Sequence, residues 1–75
     1  MIVILLLLPR KIRQLVKDLE KAGFEFEPAK GSHRKYTHDL TTDVVIIYGQ
    51  IGDDASPYQE KHLRVALENL RKAKE

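Results

Sequence analysis

Lys30-Gly31-Ser32-His33-Arg34-Lys35-Tyr36-Thr37-His38 gathers cations, imidazoles, hydroxyls and a phenol around a single glycine. Its second part, about residues 33–38, reads as a strand. Side chains alternate across a strand, so Tyr36, apolar enough for a core, shares its side of the pleat with Arg34 and His38. His33, Lys35 and Thr37 fall on the other side, which sets an imidazole beside an ammonium on a surface facing solvent. Gly31 supplies the backbone freedom for a tight turn just before this strand.

The neighbouring stretches complete a sheet. Upstream, Phe24-Glu25-Phe26-Glu27-Pro28 alternates with period two, and Ala29-Lys30-Gly31-Ser32 forms the turn. Downstream, Asp39 to Asp43 is a looser turn. Val44-Val45-Ile46-Ile47-Tyr48 is β-branched and apolar on both faces, which suits a central or partly covered strand. Short connections between successive strands imply an antiparallel meander.

Helices flank the meander. From Pro9 to Ala22, Ile12, Leu15, Val16 and Leu19 make one apolar stripe, with proline suited to the first helical position. Gly23 stands just past the end, where a left-handed residue closes a helix and brings Leu19 to Phe24. After the Gly52-Asp53-Asp54 turn, Ser56 as N-cap, Pro57 at N1 and Gln59 at N3 predict a capping box. Leu63, Ala66, Leu67, Leu70 and Ala73 then form a second stripe, to about Lys74. The expected fold is α+β in the order α-β-β-β-α: a three-stranded antiparallel sheet with both helices on one face, the layout of double-stranded-RNA-binding domains. Phe24, Phe26, Tyr36 and part of the third strand are expected to meet the helices.

With 75 residues there is room for one domain and a small core. The expected division is an apolar extension over residues 1–8 and one domain over 9–75. No cysteine is present, which removes disulfides and thiolate zinc sites and fits a reducing compartment. The apolar run Ile2 to Leu8 is far short of the roughly 20 residues that a spanning helix needs, and it lacks the flanks of a signal peptide. It reads as a strand or buried arm, as a self-association surface or, preferred slightly, as an upstream extension from a mis-assigned start. The formal net charge is +2. Residues 1–35 carry net +4 and residues 36–75 net −2, so the half that holds the central stretch is the one suited to a polyanion. A solvated basic helix face is the plain alternative.

His33 is the chemical candidate. An imidazole exchanges a proton near neutral pH. RNA cleavage through the 2′-hydroxyl needs a base there and an acid at the leaving 5′-oxygen. Lys35, with Lys30 or Arg34, would stabilise the phosphorane charge. An ordinary surface histidine is the competing reading. His38 lies on the opposite side of a regular strand from His33, so a structural or capping role is expected for it. His33, His38, Asp39, Asp43, Asp53 and Asp54 offer metal-ligating atoms but match no zinc or EF-hand spacing, and the aspartates suit turns. No metal and no cofactor is expected. Ser32 is expected to bond backbone in its turn. Tyr36 and Tyr48 are aromatic candidates for base stacking, with Tyr36 better suited to the core.

Lys-Ala-Gly-Phe at 21–24, Gly-Ser-His-Arg-Lys-Tyr at 31–36 and Val-Val-Ile-Ile-Tyr at 44–48, in this order and spacing, resemble the HicA family of bacterial toxins over about residues 10–74. The resemblance implies an activity that cleaves mRNA, with His33 catalytic. The expected enzyme is a metal-independent endoribonuclease with Lys30, Ser32, Arg34 and Lys35 as RNA contacts. The resemblance also implies a HicB-type antitoxin covering the active face. A bacterial cytoplasmic setting, no membrane partner, and assembly as a homodimer or as a hetero-oligomer with the antitoxin are the accompanying expectations. Residues 1–8 have no counterpart in the usual short N-terminus of such proteins. The approach to the last helix, residues 52–62, is more acidic than in many members. A non-catalytic RNA-binding or protein-interaction module on the same fold is the alternative function.

Overall fold

The computed structural model describes residues 10–75. The apolar run and Pro9 lie outside the described residues. Helix α1 spans Ile12–Lys21, β1 Glu25–Pro28, β2 Arg34–Thr37, β3 Val44–Ile47 and α2 Pro57–Ala73. The strands form an antiparallel meander in the order β1-β2-β3. This is the α-β-β-β-α arrangement that the patterns predict.

Arg10 and Lys11 are not helical. Lys11 has extended backbone and bridges Asp54. The first two amide groups of α1 donate to a distant loop, Ile12 N–H to the Asp53 carbonyl (2.8 Å) and Arg13 N–H to the Ile51 carbonyl (3.0 Å). Helix N-termini leave such donors unpaired. Here the turn before α2 supplies the acceptors, and the two helices are tied at that end.

The other end of α1 closes as the sequence predicts. Phe24 N–H donates to the Leu19 carbonyl and Gly23 N–H to the Glu20 carbonyl, a Schellman motif around Gly23 at φ +90°. A Cβ at position 23 would stand 3.3 Å from His38 Nε2. Gly23→Ala is therefore expected to cost about 1–2 kcal/mol and to lower the Tm by about 5–15 °C in a domain of this size. Thermal denaturation by circular dichroism checks this, and an unchanged Tm would contradict it.

Ile12, Leu15, Leu19, Phe24, Tyr36, Val45, Ile47, Leu63, Ala66 and Leu70 form one core between the helices and a single face of the sheet. Each large side chain fully withdrawn from water contributes about 1.5–3 kcal/mol. Two expectations fail. Phe26 lies on the helix side, in register with Tyr36, yet remains 53% exposed. The helix layer is centred on β3, with α2 on β3 and α1 on α2, and β1 projects beyond it. Phe26 meets the Tyr36 ring at a tilt of 53°, with the centroids 5.7 Å apart. Ala73, at the last turn of α2, is also exposed.

Candidate functional site

A three-residue turn presents His33. Ala29 N–H donates to the His33 carbonyl, His33 N–H donates to the Lys30 carbonyl, and Gly31 takes φ +67°. Among the described residues, its chain neighbours apart, no heavy atom lies within 4 Å of where a Gly31 Cβ would stand, so glycine is favoured there by backbone conformation and not by space. The Ser32 hydroxyl makes no hydrogen bond among the described residues. Backbone bonds close the turn, and the expected Ser32 link to backbone is not formed.

The sheet register sorts the side chains. Glu27 faces Lys35 and Lys35 faces Ile46, and one residue beyond the last ladder pair, Arg34 with Ile47, His33 comes opposite Tyr48. Alternation puts His33, Lys35, Thr37, Ile46 and Tyr48 on the face away from the helices. The His33 imidazole is exposed, and its ring lies 5.8 Å from the Tyr48 ring, tilted by 37°. Neither of its ring nitrogens is hydrogen-bonded among the described residues. Ala29, Lys30, His33 and Ile46 line a shallow, open depression here. Lys35 is held loosely by Glu27, Nζ to Oε1 3.9 Å, and Glu27 also accepts from the Thr37 hydroxyl at 3.5 Å.

Tyr48 is held from behind. Its N–H donates to Gln59 Oε1 (3.2 Å), and its hydroxyl is hydrogen-bonded to Ser56 Oγ (3.2 Å). Ser56 caps α2 as predicted, accepting the Gln59 N–H. The Gln59 side chain does not complete a capping box. It is buried and turns to β3, because the end of that strand brings an amide donor within its reach. The sequence marked Ser56 and Gln59 as a helix start, but their hold on Tyr48 depends on how α2 lies against β3.

Arg34, expected among the RNA contacts, is on the opposite side of the pleat from His33. Its Nη1 donates to the Gly49 carbonyl at 3.2 Å, and so braces the loop after β3. His38 also faces the helix side. Its ring packs edge-on against Phe24 at 5.3 Å, and its Nδ1 accepts the Leu40 N–H at 3.0 Å. This is the structural role expected of it. Asp53 Oδ2 accepts the Gln50 N–H, and Asp54 pairs with Lys11 at 2.6 Å, so these carboxylates serve turns and the hold on α1. Among the described residues no three metal-ligating side chains converge, and no helix is long and apolar enough to cross a membrane.

The arrangement defines a small two-layer α+β domain that carries an exposed imidazole, an ammonium and an aromatic ring on a sheet face that no described element covers. A family profile described as "HicA toxin of bacterial toxin-antitoxin" matches residues 12–74, which take in both helices and all three strands. The chain belongs to the HicA toxin family: it is the toxin of a toxin–antitoxin pair, and an antitoxin is its partner. Comparison with curated proteins and with solved structures found no match.

Proposed function

We propose that this toxin is an endoribonuclease that cleaves mRNA on the open sheet face, with His33 as general acid or base. The observation that carries this reading is the exposed His33 ring, unbonded at both nitrogens among the described residues, on the face that also bears Lys35 and Tyr48. In the proposed step the imidazole takes the 2′-hydroxyl proton or returns one to the 5′-oxygen. Lys35 and Lys30 balance the phosphorane charge, Ser32 contacts the phosphate, and Tyr48 offers a face on which a base stacks. Arg34 acts indirectly, through the Gly49 loop. A HicB-type antitoxin silences the toxin by covering this face, in the bacterial cytoplasm.

A time course on end-labelled single-stranded RNA with EDTA present tests the proposal. Cleavage in EDTA supports a metal-independent nuclease. Salt-dependent binding without cleavage, with or without added divalent ions, would favour the non-catalytic module instead.

The Glu27 carboxylate competes with RNA for Lys35. Glu27→Gln, made with His33→Ala so that RNA survives the measurement, is expected to tighten RNA binding about two- to fivefold, the scale of one exposed ion pair. Fluorescence anisotropy at fixed ionic strength reads this directly. Weaker binding would remove Lys35 from the phosphate site.

A further inference from the structure

The two edges of the sheet are built differently. β1 carries Glu25, Glu27 and Pro28, charges and a proline that discourage another strand from pairing there. Val44 to Tyr48 has no such guard. In an antiparallel ladder, residues alternately exchange both backbone hydrogen bonds with one neighbour and turn them away. Because Ala29 N–H donates to the His33 carbonyl, His33, Lys35 and Thr37 direct their backbone groups to β1, and Arg34 and Tyr36 direct theirs to β3. Their partners Ile47 and Val45 are thereby used inside the sheet. Val44, Ile46 and Tyr48 present theirs to the outside edge. Gln59 takes the Tyr48 N–H, while those of Val44 and Ile46 have no partner among the described residues.

Helix α2 extends this edge. Gln59 bonds at the Tyr48 end of the strand, and Asn69 Nδ2 bonds Asp43 Oδ2 (3.1 Å) at the other, so α2 runs antiparallel to β3. Tyr58, His62 and Val65 share the flank of Asn69 by helical spacing and therefore face the β3 side. Tyr58 is 68% and Val65 45% exposed, and with Lys61 and His62 they line an apolar depression. The loop before β3 is acidic, with Asp39 and Asp43, whereas Lys61 stands near the opposite end.

We propose that a second copy of this chain pairs with β3 edge to edge, antiparallel about a two-fold axis at Val45. In this register Val44 lies opposite Ile46 of the second copy and Ile46 opposite its Val44, so the outward backbone groups of these two residues find partners. Gln59 ends the ladder at Tyr48. The two α2 flanks meet on one face of a continuous sheet, covering Tyr58, His62 and Val65. The two-fold also sets Lys61 of each copy toward Asp43 of the other, the self-complementarity that an isologous interface requires. A lone extended peptide would fill the strand position but leave the helix flank exposed.

Sedimentation equilibrium and amide hydrogen exchange on the full chain test this. The expected result is a dimer of twice 8.7 kDa, with Val44 and Ile46 amides that become protected as concentration rises. Val44→Pro removes one outward N–H per copy and spares the inner ladder, and is expected to weaken the dimer about tenfold or more. Val65→Glu, on the exposed flank of α2, is expected to do the same. Val65→Glu decides the matter if the proline variant fails to fold. A wild-type monomer at every soluble concentration overturns the proposal, including one whose edge amides are protected only by antitoxin. A dimer that survives in folded variants also overturns it.

Discussion

Replacing His33 by Ala is expected to slow RNA cleavage by about 10²–10⁴-fold, the usual contribution of a positioned acid–base group. Growth arrest on expression should be lost with it. The fold should be untouched. The imidazole is exposed and makes no side-chain hydrogen bond among the described residues, and its one aromatic neighbour, Tyr48, is held independently by Gln59 and Ser56. Substitutions of this kind usually change stability by less than about 0.5 kcal/mol. Purified His33→Ala with unchanged melting and undiminished cleavage would end the catalytic proposal for this residue. Loss of cleavage together with loss of fold would mean that the side chain has a structural task that the geometry does not reveal.

Tyr36→Ala should instead remove a large share of the protein's stability. Tyr36 is 2% exposed, in the middle strand, beneath the helix layer. Truncating a buried aromatic costs about 3–5 kcal/mol. A 75-residue domain has only about 4–11 kcal/mol in total. Tyr36→Phe keeps the ring and should keep both fold and activity. It should also change the alkaline limb of stability. Burial pushes the Tyr36 phenol above its ordinary value, with Arg34 opposing the shift and Glu20 adding to it. Below about pH 10 the phenol is neutral in both folded and unfolded chains, so nothing is lost. Above it, the unfolded chain ionises first, and stability falls until pH passes the raised folded value. Tyr36→Phe removes that contribution, so its denaturation midpoint should fall less steeply above pH 10 than that of the wild type. Identical profiles would show that the Tyr36 phenol ionises alike in the folded and unfolded chains, so that burial does not raise it.

The elements and their faces follow from local pattern in the chain. A period near four marked Ile12, Leu15 and Leu19, and a period of two marked Tyr36 against His33 and Lys35. Gly23, Gly31 and Ser56 carried local turn and cap chemistry that needs no distant partner, and each does its expected work. Local rules did not reveal which part of each apolar face would be covered or which polar groups would meet. Phe26 obeys the alternation and still remains in water, because the helices settle over β3. Gln59 leaves its predicted capping box for an amide of β3. Arg34 finds the Gly49 carbonyl, and the amides that begin α1 find a loop some 40 residues away. The pairing of His33 with Tyr48 is of the same kind. Periodicity states which side of a strand a residue takes, but only the register and the placement of helices on the sheet decide what stands beside it.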